Sequence, residues 1–320
     1  MLVEIPGIGK KIILKAMANN TKLDLINVKL PSGETVLGNK WTIDGNNKNI
    51  IIFEGMKEHV SRYDNFARFL NSNGYDVYAL DHFGQGLNVA KDMSNLCSWP
   101  KDGFKKMAEA NNILITELSK NKACYIFSHS MGSYLAQLFM ELYPLSTNKV
   151  VLCGAGSKDP ALGIGYTLAK ITTPRKSREK KSILLDKMMF SSFNKKIKNP
   201  ETPCDWLSYN KENVSKYVAD PLCGYDSKKG FLLEFLKGLK LLYKKSSLNK
   251  INKDVDVLII AGEEDPVGKY AKAPSLITKM LNKYGVNSVK SIVYPHTRHE
   301  ILNEDIRETV YKDVLNFFNK

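Results

Sequence analysis

The chain has 320 residues, 43% of them hydrophobic and 25% charged, an ordinary globular composition with length enough for a large core and no run long enough to span a bilayer. Lysine and arginine outnumber aspartate and glutamate by 47 to 33, a net charge of +14. No nucleic-acid motif accompanies that excess and lysine is spread widely, so a solvated surface accounts for most of it and a nucleic-acid partner is not expected.

Residues 1–20 carry Lys10 and Lys11 in the middle rather than ahead of an apolar core, so no signal peptide is read there. Five scattered cysteines (Cys97, Cys124, Cys153, Cys204, Cys223) lack metal-ligand spacing and read as free thiols. A cytoplasmic location, no metal and no cofactor are the expectation. Residues 25–30 and 35–43 read as two strands around the turn Pro31-Ser32-Gly33. Asn49 to Phe53 is an isoleucine-rich buried strand, followed by the polar loop Glu54-Gly55-Met56-Lys57-Glu58-His59. Tyr63, Phe66, Ala67 and Leu70 mark a helix that Asn73-Gly74 ends. A strand over 75–80, a helix over 102–119, a strand over 123–128, a helix over 131–143 and a strand over 149–153 follow. Strands alternating with helices at this length predict βαβ units and a mostly parallel sheet, an α/β fold.

From Gly154 to Ser247 the alternation stops, and helix, loop and charge take over. It resumes with strands at 255–261 and 288–294 and helices near 271–283 and 303–319. No internal repeat or low-complexity linker appears. The expected organisation is one α/β core, residues 1–153 and 248–320, with an α-helical insertion at 154–247.

Chemistry concentrates at Ser128-His129-Ser130-Met131-Gly132. A strand ends in a small residue and a helix begins directly after Ser130, the context of a nucleophile elbow, in which the serine two residues from small neighbours projects its hydroxyl from a strained turn. Ser130, Asp265 and His299 each follow a predicted strand, and their chain order of nucleophile, acid and base is that of the α/β-hydrolase fold. A serine hydroxyl needs an imidazole to take its proton and a carboxylate to orient that imidazole. Glu263 and Glu264 are rival acids, and His296 and His82 are rival bases. For the oxyanion, the amides of Met131 and of Met56, in the loop after an early strand, are the expected donors.

Six stretches then carry a resemblance. They are Gly55-Met56-Lys57-Glu58-His59-Val60-Ser61-Arg62-Tyr63, Asp81-His82-Phe83-Gly84-Gln85-Gly86, the Ser130 elbow, Asp205-Trp206-Leu207-Ser208 with Ala219-Asp220-Pro221-Leu222-Cys223-Gly224, Gly262-Glu263-Glu264-Asp265-Pro266-Val267-Gly268, and His299-Glu300-Ile301-Leu302-Asn303-Glu304. Together the chain resembles the monoacylglycerol lipase and lysophospholipase branch of the α/β-hydrolases, the serine aminopeptidase-like family. The resemblance implies Ser130 as nucleophile, Asp265 as acid, His299 as base and a helical cap over the site. Two departures stand out. Glu54 occupies the place of the family's usual histidine before the oxyanion glycine, and Ser128 replaces the first glycine of the elbow. A Glu54 carboxylate aimed inward would oppose an oxyanion; aimed away, it would hydrogen-bond its loop.

The insertion speaks about substrate. Between Lys170 and Lys198 lie ten basic residues against two acidic ones, interleaved with Ile183, Leu184, Leu185, Met188, Met189 and Phe190. That is what an interfacial segment at an anionic membrane looks like, and also what a solvated cap helix with one apolar side looks like. Leu232, Phe235, Leu236, Leu239 and Leu242 form a second apolar stripe. The expected function is hydrolysis of a small-molecule acyl ester, a monoacylglycerol or lysophospholipid, with Glu54, Tyr134 and Trp206 as substrate-binding candidates. A serine peptidase is the alternative, with Glu54 as part of an amine pocket. A non-catalytic binding protein on the same fold is the third reading.

Overall fold

The computed structural model describes residues 21–46, 48–120 and 122–320; the reading of residues 1–20 as free of a signal peptide lies outside the described residues. Strands β1 (Lys22–Lys29) and β2 (Thr35–Thr42) form an antiparallel hairpin. Its turn places Gly33 at a φ of 100°, where a side chain would be strained. Next come β3 (Lys48–Phe53), α1 (Asp64–Ser72), β4 (Asp76–Leu80), α2 (Gly103–Leu118), β5 (Ala123–His129), α3 (Met131–Leu142) and β6 (Lys149–Cys153). Four helices follow without a strand between them: α4 (Leu162–Thr172), α5 (Ile183–Phe190), α6 (Lys211–Ala219) and α7 (Lys229–Leu242), with the short α8 (Lys245–Leu248) closing the excursion. The alternation then resumes as β7 (Asp256–Gly262), α9 (Lys272–Lys283), β8 (Val289–Tyr294) and α10 (Arg307–Asn319).

The eight strands make one sheet in the order β1-β2-β4-β3-β5-β6-β7-β8. The pairings β1–β2 and β2–β4 are antiparallel and the rest are parallel. This is the α/β-hydrolase architecture that the alternation predicts. The isoleucine run of β3 is explained by burial on both faces. Ile51 and Phe53 enter one core layer with Phe104, Leu135 and Leu138, while Ile50 and Ile52 enter the other with Phe66, Leu70, Val310 and Phe318. Helical faces cover both sides of the sheet, so its strands read as continuous apolar runs rather than as alternation. At about 25 cal/mol per Å² of apolar surface, these two layers are the main stabilising term of the fold.

Among the described residues no helix is long and apolar enough to cross a membrane. The five cysteines are free thiols, all buried except the half-buried Cys204.

Candidate active site

The carboxyl ends of β5, β7 and β8 carry the three side chains singled out from the sequence. Ser130 links β5 to α3 with φ 52° and ψ −117°, a conformation a side-chain-bearing residue holds only when its surroundings force it. The forcing contacts are local. Ser130 N–H donates to Cys153 O at 2.9 Å, and a Cβ on Gly132 would lie 2.1 Å from Phe53 O, so only glycine lets the elbow close on the end of β3. Ser128, the departure from the usual glycine, is fully buried and fits the turn by donating its hydroxyl to Val151 O of β6 at 2.6 Å.

His299 Nδ1 lies 2.9 Å from Asp265 Oδ1, and both side chains are buried. The two atoms are at hydrogen-bond distance, with the ring N–H directed off-line. Such contacts commonly tighten only when substrate is bound. Asp265 Oδ1 also accepts from Val267 N at 2.8 Å, which fixes the carboxylate. The rivals are elsewhere. His296 is exposed in a left-handed turn, 3.9 Å from Glu264. His82 is buried, donates to Glu54 O at 3.1 Å, and is pushed down to about 4 by burial.

Ser130 and His299 open into one cavity of about 780 Å³, which Met56, Met131, Tyr134 and Trp206 also line. Met131 is the first residue of α3, so its N–H has no intrahelical acceptor. Trp206 packs on the His299 ring at 5.0 Å and on Phe193 at 4.7 Å. The rest of the wall is largely apolar, with Leu162, Leu185, Met189, Phe190, Leu236 and Leu239 supplied by the segment between β6 and β7.

Glu54 is placed differently from the sequence reading. It is fully buried, is absent from the cavity wall, and accepts from His82 N at 2.7 Å and Gln85 Nε2 at 2.9 Å. Its carboxyl therefore faces the interior behind the loop. Glu58, to which the sequence assigns no role, does reach the cavity wall, as do Asp159, Asp186 and Glu300. Glu58 Oε1 accepts from Gly55 N at 2.7 Å and Tyr63 Oη at 2.8 Å and lies 3.2 Å from His129 Nδ1, while Oε2 meets Arg62 at 2.7 Å. Arg62 also grips both oxygens of Glu300 at 2.7 Å. Burial opposes charge on all four groups, yet the alternation of signs holds Glu58 and Glu300 below the usual carboxylate range and His129 above the usual imidazole one. His129 in turn packs 4.8 Å from the His299 ring. The i,i+4 spacing of Glu58 and Arg62 was the one trace of this network in the sequence; Glu300, 238 residues away from Arg62, left none.

At the mouth, Lys57 pairs with Asp186 at 3.2 Å and sits over the Phe190 ring at 4.3 Å. Outside it, Ile164, Ile171, Ile183 and Leu184 are exposed on α4 and α5, among the lysines of residues 170–198. Among the described residues one trio could offer ligand atoms to a metal: His59, Asp220 and Cys223, within 4.8 Å of one another. His59 is already bonded to Asp220 at 2.9 Å, and the nearby Arg62 charge disfavours a cation there.

Comparison with known proteins gives the arrangement its context. The sequence pattern described as "Serine aminopeptidase, S33" matches residues 45–306. A monoacylglycerol lipase of Mycolicibacterium smegmatis is 24% identical over 289 residues, 88% of this chain and 92% of the relative. The structure of a thermostable carboxyl esterase from Bacillus coagulans, in complex with glycerol, superposes with a TM-score of 0.85 at 25% identity, covering 93% of this chain and 98% of that one. A soluble variant of the monoglyceride lipase of Saccharomyces cerevisiae, bound to a substrate analogue, has a TM-score of 0.71 at 16% identity, covering 94% and 95%.

Proposed function

Because the chain belongs to the serine aminopeptidase S33 family of α/β-hydrolases, we propose that it hydrolyses carboxylic esters of the monoacylglycerol or lysophospholipid class through a Ser130–His299–Asp265 triad and an acyl-enzyme. The observation that carries this reading is the coincidence, in one largely apolar cavity, of a backbone-strained Ser130 with a histidine 2.9 Å from a buried aspartate.

In the proposed course, His299 Nε2 takes the Ser130 proton as Oγ attacks the acyl carbon. Asp265 keeps the proton of the imidazole on Nδ1 and stabilises the imidazolium. The oxyanion receives the amides of Met56 and Met131. The ester C–O bond then breaks, and the alcohol leaves with the proton from His299. Water, deprotonated by His299, attacks the acyl-enzyme and releases the carboxylic acid with Ser130 restored.

The cavity volume falls in the range that buries a drug-sized ligand, and its apolar wall suits an acyl chain at about 0.8 kcal/mol per buried methylene. The segment 154–247 is read as a cap that supplies this wall. Its exposed isoleucines and lysines support docking on an anionic lipid surface, from which such substrates come. A serine peptidase needs a free carboxylate for the substrate amine. Glu58 and Glu300 are committed to Arg62, Asp186 is committed to Lys57, and Glu54 faces away; Asp159, exposed at the cavity wall and bonded only to Ala161 N, is the carboxylate a peptidase would have to use. A panel of p-nitrophenyl esters of increasing acyl length beside aminoacyl p-nitroanilides tests the reading. The expected result is kcat/KM rising from acetyl to medium or long chains, with poor anilide turnover. Best turnover of acetyl esters with a gain from a free α-amine would overturn it.

A further inference from the structure

The loop that bears Met56 is anchored from behind. Gln85 Nε2 donates to Glu54 Oε1 at 2.9 Å, to Gly55 O at 3.0 Å and to Glu58 O at 3.1 Å, and Gln85 Oε1 accepts from Lys57 N at 3.0 Å. His82 reaches the same loop twice, through its N–H to Glu54 Oε1 and through its ring to Glu54 O. Gly55 N–H is held by Glu58. Met56 N–H thus lies between two anchored amides.

Behind this loop two carboxyl groups are buried together. Asp81, at the end of β4, is fully engaged as an acceptor, Oδ1 from Val60 N at 2.9 Å and Oδ2 from Leu87 N at 3.0 Å. The Glu54 carboxyl is its buried neighbour, near enough that each bears on the other's ionisation. Gly86 exists to let this happen, since a Cβ there would lie 2.1 Å from Asp81 Oδ1. Glu54 divides its oxygens differently. Oε1 takes the two donors from His82 and Gln85, while Oε2 meets no N–H. Two neighbouring buried carboxyls hold one charge between them. The donors settle which one is neutral: Asp81 has an amide on each oxygen, and Glu54 has a bare Oε2 where a proton can sit.

We propose that Glu54 is a positioning residue: as a carboxylic acid it bridges the Asp81 carboxylate to the His82 and Gln85 donors, and this bridge fixes the loop that presents the Met56 amide to the reacting carbonyl. The inference rests on the reading of Met56 as an oxyanion donor. Burial first, and then the Asp81 charge, push the Glu54 carboxyl well up, in agreement with the hydrogen-bond count. Asp81 is itself pushed up to about 6 by burial, against the pull of the Val60 and Leu87 amides. The other ionisable groups that bear on the pair are Glu58, His59, His82, Tyr63 and Tyr225; His82 is kept neutral by burial, and none supplies a cation in contact with Glu54. The acid at position 54 therefore raises no charge against the oxyanion, which answers the objection that its sequence position invites.

Two conservative variants separate a neutral bridge from a charge requirement. Glu54→Gln keeps the carbonyl acceptor for His82 and Gln85 and offers an N–H to Asp81. Glu54→Asp keeps the ionisable group but is one methylene too short to span both partners. With active sites counted by fluorophosphonate titration, the expected order of kcat is Glu54→Gln close to the parent protein and Glu54→Asp at least tenfold lower, with KM within about twofold in both. Amide hydrogen exchange of residues 54–60 is expected to quicken in Glu54→Asp alone. The reverse order, Asp above Gln, would overturn the proposal, because a carboxylate would then be what matters. Unchanged exchange in Glu54→Asp would overturn it as well, since the loop would not depend on the bridge. Quickened exchange with unchanged kcat would leave the bridge standing and remove Met56 from the oxyanion hole.

Discussion

Replacing Gly132 by alanine tests the join on which the proposed chemistry depends. A Cβ at this position would lie 2.1 Å from Phe53 O and 2.5 Å from Glu54 O. Ordinary contact begins at 3.4 Å, so the elbow and the end of β3 must separate by about 1.3 Å, the difference between 3.4 and 2.1 Å. One side is the first turn of α3 and the other is backbone at the end of β3, neither of which can rotate away as a flexible side chain could. Overpacking of this kind costs about 1–3 kcal/mol, which for a chain of this length is a fall in Tm of a few degrees. The separation falls between Ser130 and the loop of Met56, so the nucleophile and one proposed oxyanion donor move apart together. A misplacement of about 1 Å at reacting groups costs on the order of 10²-fold in rate. Gly132→Ala is therefore expected to stay folded, with Tm lowered by a few degrees and kcat/KM on a p-nitrophenyl ester lowered by about 10². Thermal unfolding and steady-state kinetics on the same preparation measure both. Activity within about threefold of the parent protein would refute the claim that the close approach of β3 to the elbow is what builds the site.

The proposed roles give a second expectation: His299→Ala lowers ester hydrolysis by at least ~10³ while His296→Ala, at an exposed turn, leaves it near the parent rate, and the opposite pattern would reassign the base. Stability carries a pH signature from Glu141, which is buried on α3 with neither oxygen hydrogen-bonded and is pushed by burial up to about 9. Because its folded pKa lies above the ordinary 4.5, the folded state holds the proton longer, and stability falls as pH rises from 4.5 to about 9. At pH 7 that loss is about 3 kcal/mol, so urea unfolding of Glu141→Gln should show a flatter stability profile between pH 5 and 9 than the parent; parallel profiles would count against it. Finally, co-sedimentation with vesicles should be stronger for anionic than for neutral lipid and should weaken with salt, since each basic residue near such a surface contributes about 1 kcal/mol; equal binding to both vesicle types would exclude the basic segment as a membrane contact.

The fold was legible in the sequence because β3, β5, β6 and β7 are buried on both faces and so stand out as uninterrupted apolar runs between helices. The turns were legible where backbone geometry dictates residue type, as at Gly33 and around Ser130. What the sequence hid was direction. Glu54 lies next to the loop glycine in the chain, yet its side chain turns toward His82 and Gln85, about 30 residues on, and no local pattern reports that choice. Ser128 likewise reads as a departure from glycine until Val151 O on the neighbouring strand appears as its acceptor. The Glu58–Arg62–Glu300 cluster joins the loop after β3 to the segment after β8, and it locks both of those acids in ion pairs with one arginine. Such pairings follow from the sheet order, which residue types alone do not specify.

On the proposed mechanism Ser130 forms the acyl-enzyme. Fluorophosphonate labelling of the folded protein followed by peptide mass mapping addresses it most directly, because the reagent marks a serine only where a base and an oxyanion site activate it. The expected result is one adduct, on the peptide containing Ser130, lost in Ser130→Ala and strongly slowed in His299→Ala. An adduct on another serine, or none on protein shown by circular dichroism to be folded, would rule out Ser130 as the nucleophile.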